Sequence, residues 1–538
     1  MDEILRKVKR MSNAKATDGR SLKEVLAYKG ISLWWFVEHS IYMSLKDQSR
    51  KKYALNRFAS LAAILIKAFF IFKITVRFLS GRILSNSKSS GKPKIIFCSS
   101  LWHWGEVWGL RLMHPAPGDV ILGNVIDEIS RRGFDAVCVD RDDGHRINLG
   151  RLFKKLSQSK GGWTTIESYA TAGSVLKALL QSARIESAWK KFIDEDCKCA
   201  SQDERASLRK IYKGSKIFFS YHVLQALVYM DIAERMLADE KPKAVIVAGE
   251  HSDSGRAIVA VGRRMGIPTM AIQHGFFTYE NAMYYNDPKE ISDDVALGYK
   301  PLADRFAVYG PWAADVLSKF NYPKERISVT GQPRYDVLKH LCNMYSKKTF
   351  CKKFGLEFKK RIILITTQPF SMEKRAVFLR SILKEVKKTK NVSIVIKPHP
   401  VEKEGWHRAI AREEKIDVLV LPSNFNTYEA LQACDVMITS SSTTALEAMI
   451  LDKNVIIANL VEDPWARIFA ESEATIAVKK AEDLADAVKK VLYNKQIERK
   501  LKKGRKEFIY KHAYKQDGKA TEKVIKVIKQ MIKERWHV

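Results

Sequence analysis

Two runs in the second half of the chain end in residues suited to holding an anion. VSIVIKPHP (392–400) closes on Lys397, Pro398, His399 and Pro400. Proline fixes its own backbone, so the imidazole of His399 sits rigidly at a strand tip, where it can donate to a phosphate oxygen or protonate it; Lys397 adds positive charge. DVMITSSS (435–442) runs directly into TTALEAMILD (443–452). The turn at Ser441, Ser442 and Thr443 offers backbone N–H groups, the positive end of a helix and several hydroxyls, a combination that cradles phosphate. Glu447, one turn further on, is spaced to accept from a ribose diol. Taken singly, each motif has a plainer use: Ser and Thr cap helices, and a strand-end histidine can simply tie down a loop. Their occurrence in the same half-domain, at the same edge, favours an anion site.

Residues that could move a proton come from the first half. They are Glu106 in CSSLWHWGEVWGL (98–110), Glu250 in VAGEHSDSGR (247–256) and His274 in AIQHGFFT (271–278). Each follows a β-branched run, and an imidazole titrates near neutral pH without help. Moving a group from a phosphate leaving group to a hydroxyl requires a base and a neutralised phosphate. The two halves offer one of these each. Asp142 and Asp143 in RDDG (141–144) read as a turn, so neither a metal nor a resident cofactor is expected.

The elements that must position these residues follow from periodicity. Candidate strands are 94–100, 135–140, 243–249, 269–275, 305–310 and 327–333. A second series is 361–368, 392–400, 417–422, 435–442, 454–460 and 474–478. Most are apolar without alternation, as strands covered on both faces are, and helical stretches separate many of them. This βαβ pattern predicts an α/β fold class: two Rossmann-like, doubly wound parallel-sheet domains with a basic helical N-terminal extension. The boundaries read as 1–93 for the extension, 94–345 for an acceptor domain, 346–495 for a nucleotide-donor domain and 496–538 for basic C-terminal helices. In such sheets ligands bind beyond the carboxyl ends of the strands, where the candidate residues fall.

Charge is the outlying property. The formal net charge is +33, which draws a protein to polyanions. Residues 51–92 carry Lys51, Lys52, Arg57, Lys67, Lys73, Arg77, Arg82, Lys88 and Lys92 and no acidic side chain. The apolar run 58–79 is long enough to cross a bilayer, but Lys67, Lys73 and Arg77 interrupt it, each costing about 2.5–3.5 kcal/mol near the bilayer centre. On a helix these three share an arc of about 120°. That predicts a helix lying in the interface with its basic stripe on anionic headgroups, and burial against the catalytic body is the plainer alternative. Helix 521–536 places Val524, Val527, Ile528, Met531 and Ile532 on one face, a docking face. The seven cysteines are irregularly spaced and form no disulfide framework. Residues 1–20 are polar, without a signal-peptide pattern. The expected location is cytoplasmic, peripheral on the inner membrane face. With no zinc module, RNP motif or helix-turn-helix signature, nucleic acid is not an expected partner.

A strand ending in HP, followed by a strand ending in SS(S/T) with EA shortly after, resembles the HP and SS motifs of GT-B glycosyltransferases. The most similar are the sialyl- and Kdo-transferases that use CMP-sugars and the capsule-polysaccharide transferases; CDP-glycerol glycerophosphotransferases share the pattern. The resemblance implies that His399, Ser441 and Ser442 hold the nucleotide's phosphate and Glu447 the ribose. AIQHGFFT is similar to the (Q/W)HG strand end of the capsule and teichoic families, VTGQPRYD (329–336) to their GxPRxD segment, and the serine-plus-GE turn at 98–106 to Kdo-transferases. These imply His274 or Glu106 as the base, with Glu250 a third candidate. The implied activity is metal-independent transfer of a sugar from a nucleotide-activated donor to a cell-surface glycan or lipid-linked acceptor. Polyol-phosphate transfer is one alternative. A UDP-N-acetylglucosamine 2-epimerase-like enzyme is another, although the GTRPE-like opening strand of those enzymes is missing here. A nucleic-acid-binding or inactive scaffold protein is the non-enzyme alternative.

Overall fold

The computed structural model describes residues 3–46, 59–84, 91–109, 115–141, 148–159, 162–196, 202–279, 284–291, 300 and 302–536. Asp142, Asp143 and most of the predicted linker 85–92 lie outside them, as do Lys51, Lys52 and Arg57. Two parallel sheets organise the described chain. The first holds β1 (Lys94–Ser100), β2 (Asp135–Arg141), β3 (Trp163–Thr165), β4 (Ala244–Ala248), β5 (Thr269–Ile272), β6 (Arg305–Val308) and β7 (Ile327–Val329), in the order β7-β6-β5-β4-β1-β2-β3. The second holds β8 (Arg361–Thr366), β9 (Val392–Lys397), β10 (Leu419–Val420), β11 (Val436–Thr439), β12 (Asn454–Ala458) and β13 (Ile476–Val478), in the order β10-β9-β8-β11-β12-β13. The fold is therefore the expected pair of doubly wound α/β domains. The central strands, such as β1 and β8, are buried almost throughout because helices cover both faces.

The helices that matter for the site are α1 (Glu3–Asn13), α2 (Trp34–Lys46), α3 (Ala59–Leu84), α4 (Leu149–Gln158), α5 (Ala172–Lys191), α6 (Gln202–Glu240), α7 (Thr444–Ile450), α8 (Lys495–Ala513) and α9 (Ala520–Trp536). α9 returns from the second domain to the first. Its Val524, Ile525, Ile528, Met531 and Ile532 pack against Phe97, Ile246 and Met270 of the first sheet. Each such buried side chain is worth about 1.5–3 kcal/mol, so the strap is firm. Its first turn is capped from far away in sequence: Asp336 accepts from the Ala520 and Thr521 amides at 2.9 and 2.7 Å. At its far end Trp536 Nε1 donates to the Lys243 carbonyl at 3.0 Å.

α3 corrects the expectation for the basic stripe. Lys67, Lys73 and Arg77 do not face outward to lipid headgroups; they face the first domain. Arg77 donates to Glu167 and Asp140, each at 2.8 Å, and is almost wholly buried, as is Lys73. Lys67 pairs with Glu186 of α5 at 2.7 Å. Asp140 takes a second cation, Lys155 of α4, also at 2.7 Å, and Glu167 accepts from Tyr229 at 3.0 Å. These carboxylates sit on the sheet and its flanking turn without access to water. A buried anion without a partner is far costlier than a snorkelling lysine, so the stripe turns inward.

Replacing Arg77 by Ala strands Glu167 and half of Asp140. We expect a loss of about 3–5 kcal/mol in unfolding free energy by urea titration. A loss below about 1 kcal/mol would show that this network does not hold α3 in place.

Candidate functional site

The second-domain wall is built at the tips of β8, β9 and β11, which lie side by side. β8 is the middle strand, and its extension ties the other two together. Thr367 Oγ1 accepts from the His399 amide at 3.2 Å. Gln368 grips Ser441 twice, accepting from its amide at 2.9 Å and donating to its hydroxyl at 2.8 Å. His399 and Ser441 thus share one sheet edge, two strand spacings or roughly 10 Å apart. The Val401 amide donates to His399 Nδ1 at 3.3 Å, which leaves Nε2 carrying the proton as an outward donor. Burial lowers the His399 pKa; Glu402 opposes the shift, and Lys397 and Arg151 of α4, in the first domain, add to it.

The serine turn divides its labour. Ser442 Oγ accepts from the Thr444 amide at 3.2 Å, a local bond at the start of α7, while Thr443 at the cap position makes no side-chain cap bond. Ser441 Oγ donates to Asp463 as well as accepting from Gln368. The amides of Ser442 and Thr443 find no acceptor among the described residues, and Thr443 offers its hydroxyl beside them. Lys397 is placed differently from the expectation. Its ammonium is buried and donates to the carbonyls of Pro398 and Ser423, both at 2.8 Å, and burial lowers its pKa to about 8. It braces the strand tip from within the domain.

Glu447 is buried on α7 and meets Arg334 at 2.7 Å. Arg334 lies in the segment that leaves β7, so this pair crosses from one domain to the other. Burial raises the Glu447 pKa and the guanidinium opposes the shift. The same guanidinium also helps depress His103, in the turn after β1. Arg334 thus stands between the two walls.

The first-domain wall is a set of imidazoles. His251, after β4, and His274, after β5, have ring centroids 5.1 Å apart; His103 and His274 are 5.6 Å apart. His251 meets Tyr284 Oη at 2.9 Å through Nε2, while its Nδ1 is buried without a hydrogen-bond partner. His103 Nδ1 lies 3.0 Å from Ser99 Oγ. Burial is the main cause that lowers His103 to about 3, and it also holds His251 well below its ordinary value; Arg141 adds to both. Both rings are therefore neutral at pH 7. His274 is exposed at the mouth. Gly249 makes the crowding possible: its φ is +77°, and a Cβ there would stand 2.6 Å from His274 Nδ1. Arg141 ties the loop down by donating to the Ala248 carbonyl at 2.5 Å. Two residues past His274, Phe276 packs on Phe469 and His512 of the second domain.

Of the candidate bases, only His274 joins this cluster. Glu250 is buried: it accepts from the Ala303 amide at 3.0 Å and lines a small cavity with Trp35, Arg256, Lys300 and Tyr322 that His251 and Tyr284 also border; burial raises its pKa. Glu106 is exposed on a short hairpin, Trp104–Val107 against Ala116–Asp119, where it adds to the charge that raises Tyr345. The sequence reading passed over His103, His251, Arg141 and Arg334. His103 and His251 lie within the strings singled out for Glu106 and Glu250, in the turns that follow β1 and β4. Among the described residues, no group of His, Cys, Asp and Glu is placed to hold a metal ion.

The family model for UDP-N-acetylglucosamine 2-epimerase matches residues 223–529. No curated protein sequence matches the chain. Among solved structures, it is similar to UDP-GlcNAc 2-epimerase from Neisseria meningitidis bound to UDP-GlcNAc, at 14% identity and a TM-score of 0.49, over 81% of this chain and 99% of that one. The UDP-GlcNAc 2-epimerase from Methanocaldococcus jannaschii is similar at 14% identity and a TM-score of 0.46, over 81% and 99%. The wall teichoic acid polymerase TagF is similar at 11% identity and a TM-score of 0.44, over 91% and 100%.

His103 generates a test of the wall itself. Its folded pKa of about 3 lies below the unfolded value near 6.5. The unfolded chain therefore binds more protons in that window, and stability falls as pH drops from about 6.5 toward 3. One such group contributes about 1.4 kcal/mol per pH unit. His103→Asn should flatten the slope of unfolding free energy against pH by about that amount; an unchanged slope would place the ring in water.

Proposed function

The chain belongs to the UDP-N-acetylglucosamine 2-epimerase family, and from that premise we propose that it is a nucleotide-sugar enzyme that transfers the sugar to the hydroxyl of a glycan or lipid-linked acceptor. The observation that carries the reading is the opposition of two unlike walls across the Arg334–Glu447 pair. One wall presents His399 Nε2–H, the Thr443 hydroxyl and the free amides of Ser442 and Thr443, donors that fit a diphosphate. The other presents imidazoles that can take a proton.

In this reading His274 removes the acceptor proton. His103 and His251 beside it stay neutral, so a proton gained by His274 meets no like-charge repulsion from them. His399 and the turn at 441–443 stabilise the charge that builds on the leaving phosphate. Glu447, with Arg334 on one oxygen, is positioned for a ribose diol. The family model begins at residue 223, so His103 and Arg141 of the first-domain wall precede the matched segment. Epimerisation at C2 of a UDP-sugar is the second reading, favoured by the family match itself; the same imidazoles would then shuttle the C2 proton.

The two readings separate in deuterated water. A 2-epimerase incorporates deuterium at C2 of UDP-N-acetylglucosamine without any acceptor; a transferase leaves C2 untouched and releases nucleotide only when an acceptor is supplied. In either case His399→Ala should raise the Kd for the bare nucleotide by about tenfold. His274→Ala should leave that Kd within about twofold and lower turnover by about 10²–10⁴. Full turnover in His274→Ala would remove the assigned base.

A further inference from the structure

α3 is an amphipathic helix turned inside out. Its charged arc is buried, and its outward arc is apolar. At 100° per residue Ile64, Ala68, Leu79, Phe72, Leu65, Ile83, Val76 and Phe69 fall within about 140°, interrupted by Thr75 and bounded by Arg82. Ile64 is 63% exposed, Leu65 61%, Phe72 59% and Ile83 74%. The buried ion pairs of Arg77 and the Lys67–Glu186 bridge fix this roll, so the apolar arc cannot rotate inward without stranding charge. α5 extends the surface. Lys67 of α3 meets Glu186 of α5, and at the other end Gly81 abuts Ser168 and Thr165, just before α5 begins. Both helices pack on α6, and the Lys67–Glu186 pair bridges them. α5 exposes Leu176 at 60% and Leu180 at 59%.

The charge around this patch identifies its occupant. α3 has no acidic residue, and the single acid of α5, Glu186, is spent on Lys67. The exposed charges of the two helices, Arg82, Lys177, Arg184, Lys190 and Lys191, are all positive. The chain on either side of α3 is basic as well, with Lys51, Lys52 and Arg57 before it and Lys88 and Lys92 after it. A second copy of a chain at +33 would meet this rim with like charge. No described helix is long and apolar enough to cross a membrane. We propose that the α3–α5 face is a membrane-insertion surface: it lies in the headgroup layer of an anionic bilayer, with the apolar arc among the acyl chains and the cationic rim on lipid phosphates. This inference rests on the two helices alone and stands apart from the reaction assigned above.

The test is co-sedimentation of the full chain with vesicles of phosphatidylcholine alone or of phosphatidylcholine with phosphatidylglycerol. The protein should pellet with the anionic vesicles and bind neutral ones at least about tenfold more weakly. Phe72→Glu combined with Leu79→Glu, at exposed positions, should abolish pelleting while leaving the thermal transition within a few degrees. Lys177→Glu with Arg184→Glu should weaken binding to the anionic vesicles only, and serves as a second arm should the first variant not fold. The proposal is overturned if the unmodified chain stays in the supernatant with both vesicles, or if the glutamate variant pellets undiminished. It is equally overturned if light scattering finds a dimer that the glutamate variant dissolves, since the face would then be covered by a second copy.

Discussion

The buried ion pair between Arg334 and Glu447 is the constraint around which the cleft is organised. Glu447 is buried and Arg334 half-buried, and each is the other's ion-pair partner. An unpaired charge at either position would be expensive, so the two walls are held at the distance that the pair sets. Everything proposed for the site depends on that distance: imidazoles on one side, hydrogen-bond donors on the other, and a guanidinium between them that adds to the burial keeping His103 neutral.

Much of this was legible in the sequence, and the legible parts share a cause. Unalternating β-branched runs such as KIIFCSS and VSIVIK can be buried only between two helical layers, so the twofold parallel architecture followed from local pattern. The strand-end rule then brought His399 and Ser441 to one edge, and the Gln368 bridge between their neighbours is the physical form of that rule. The two-domain fold that the motifs implied is the one found, and the family placement falls on the epimerase family named as an alternative. Short motifs report the phosphate turn, which related folds share, while the opening strand that distinguishes them lies outside the matched segment.

What sequence did not disclose was direction. Beyond the ends of β1 and β4, the carboxylates Glu106 and Glu250 drew the choice, whereas the rings that meet His274 are those of His103 and His251. On α3 the arc was found but its sense was inverted. That sense depends on where the partner anions lie, and Asp140, Glu167 and Glu186 are 63 to 119 residues distant from the α3 cations they hold. No helical wheel contains that information. Lys397 teaches the same lesson on a smaller scale: a lysine next to a candidate phosphate site was spent on two carbonyls.

The return of α9 to the first domain means that the polypeptide passes between the domains twice, at 333–361 and again at 513–520. The two passages are fastened to each other where Asp336 holds the Ala520 and Thr521 amides and Gly331 lies against Ala520. A double crossing bound in this way joins the domains like the spine of a book: two strands of chain stitched together along one side of the cleft.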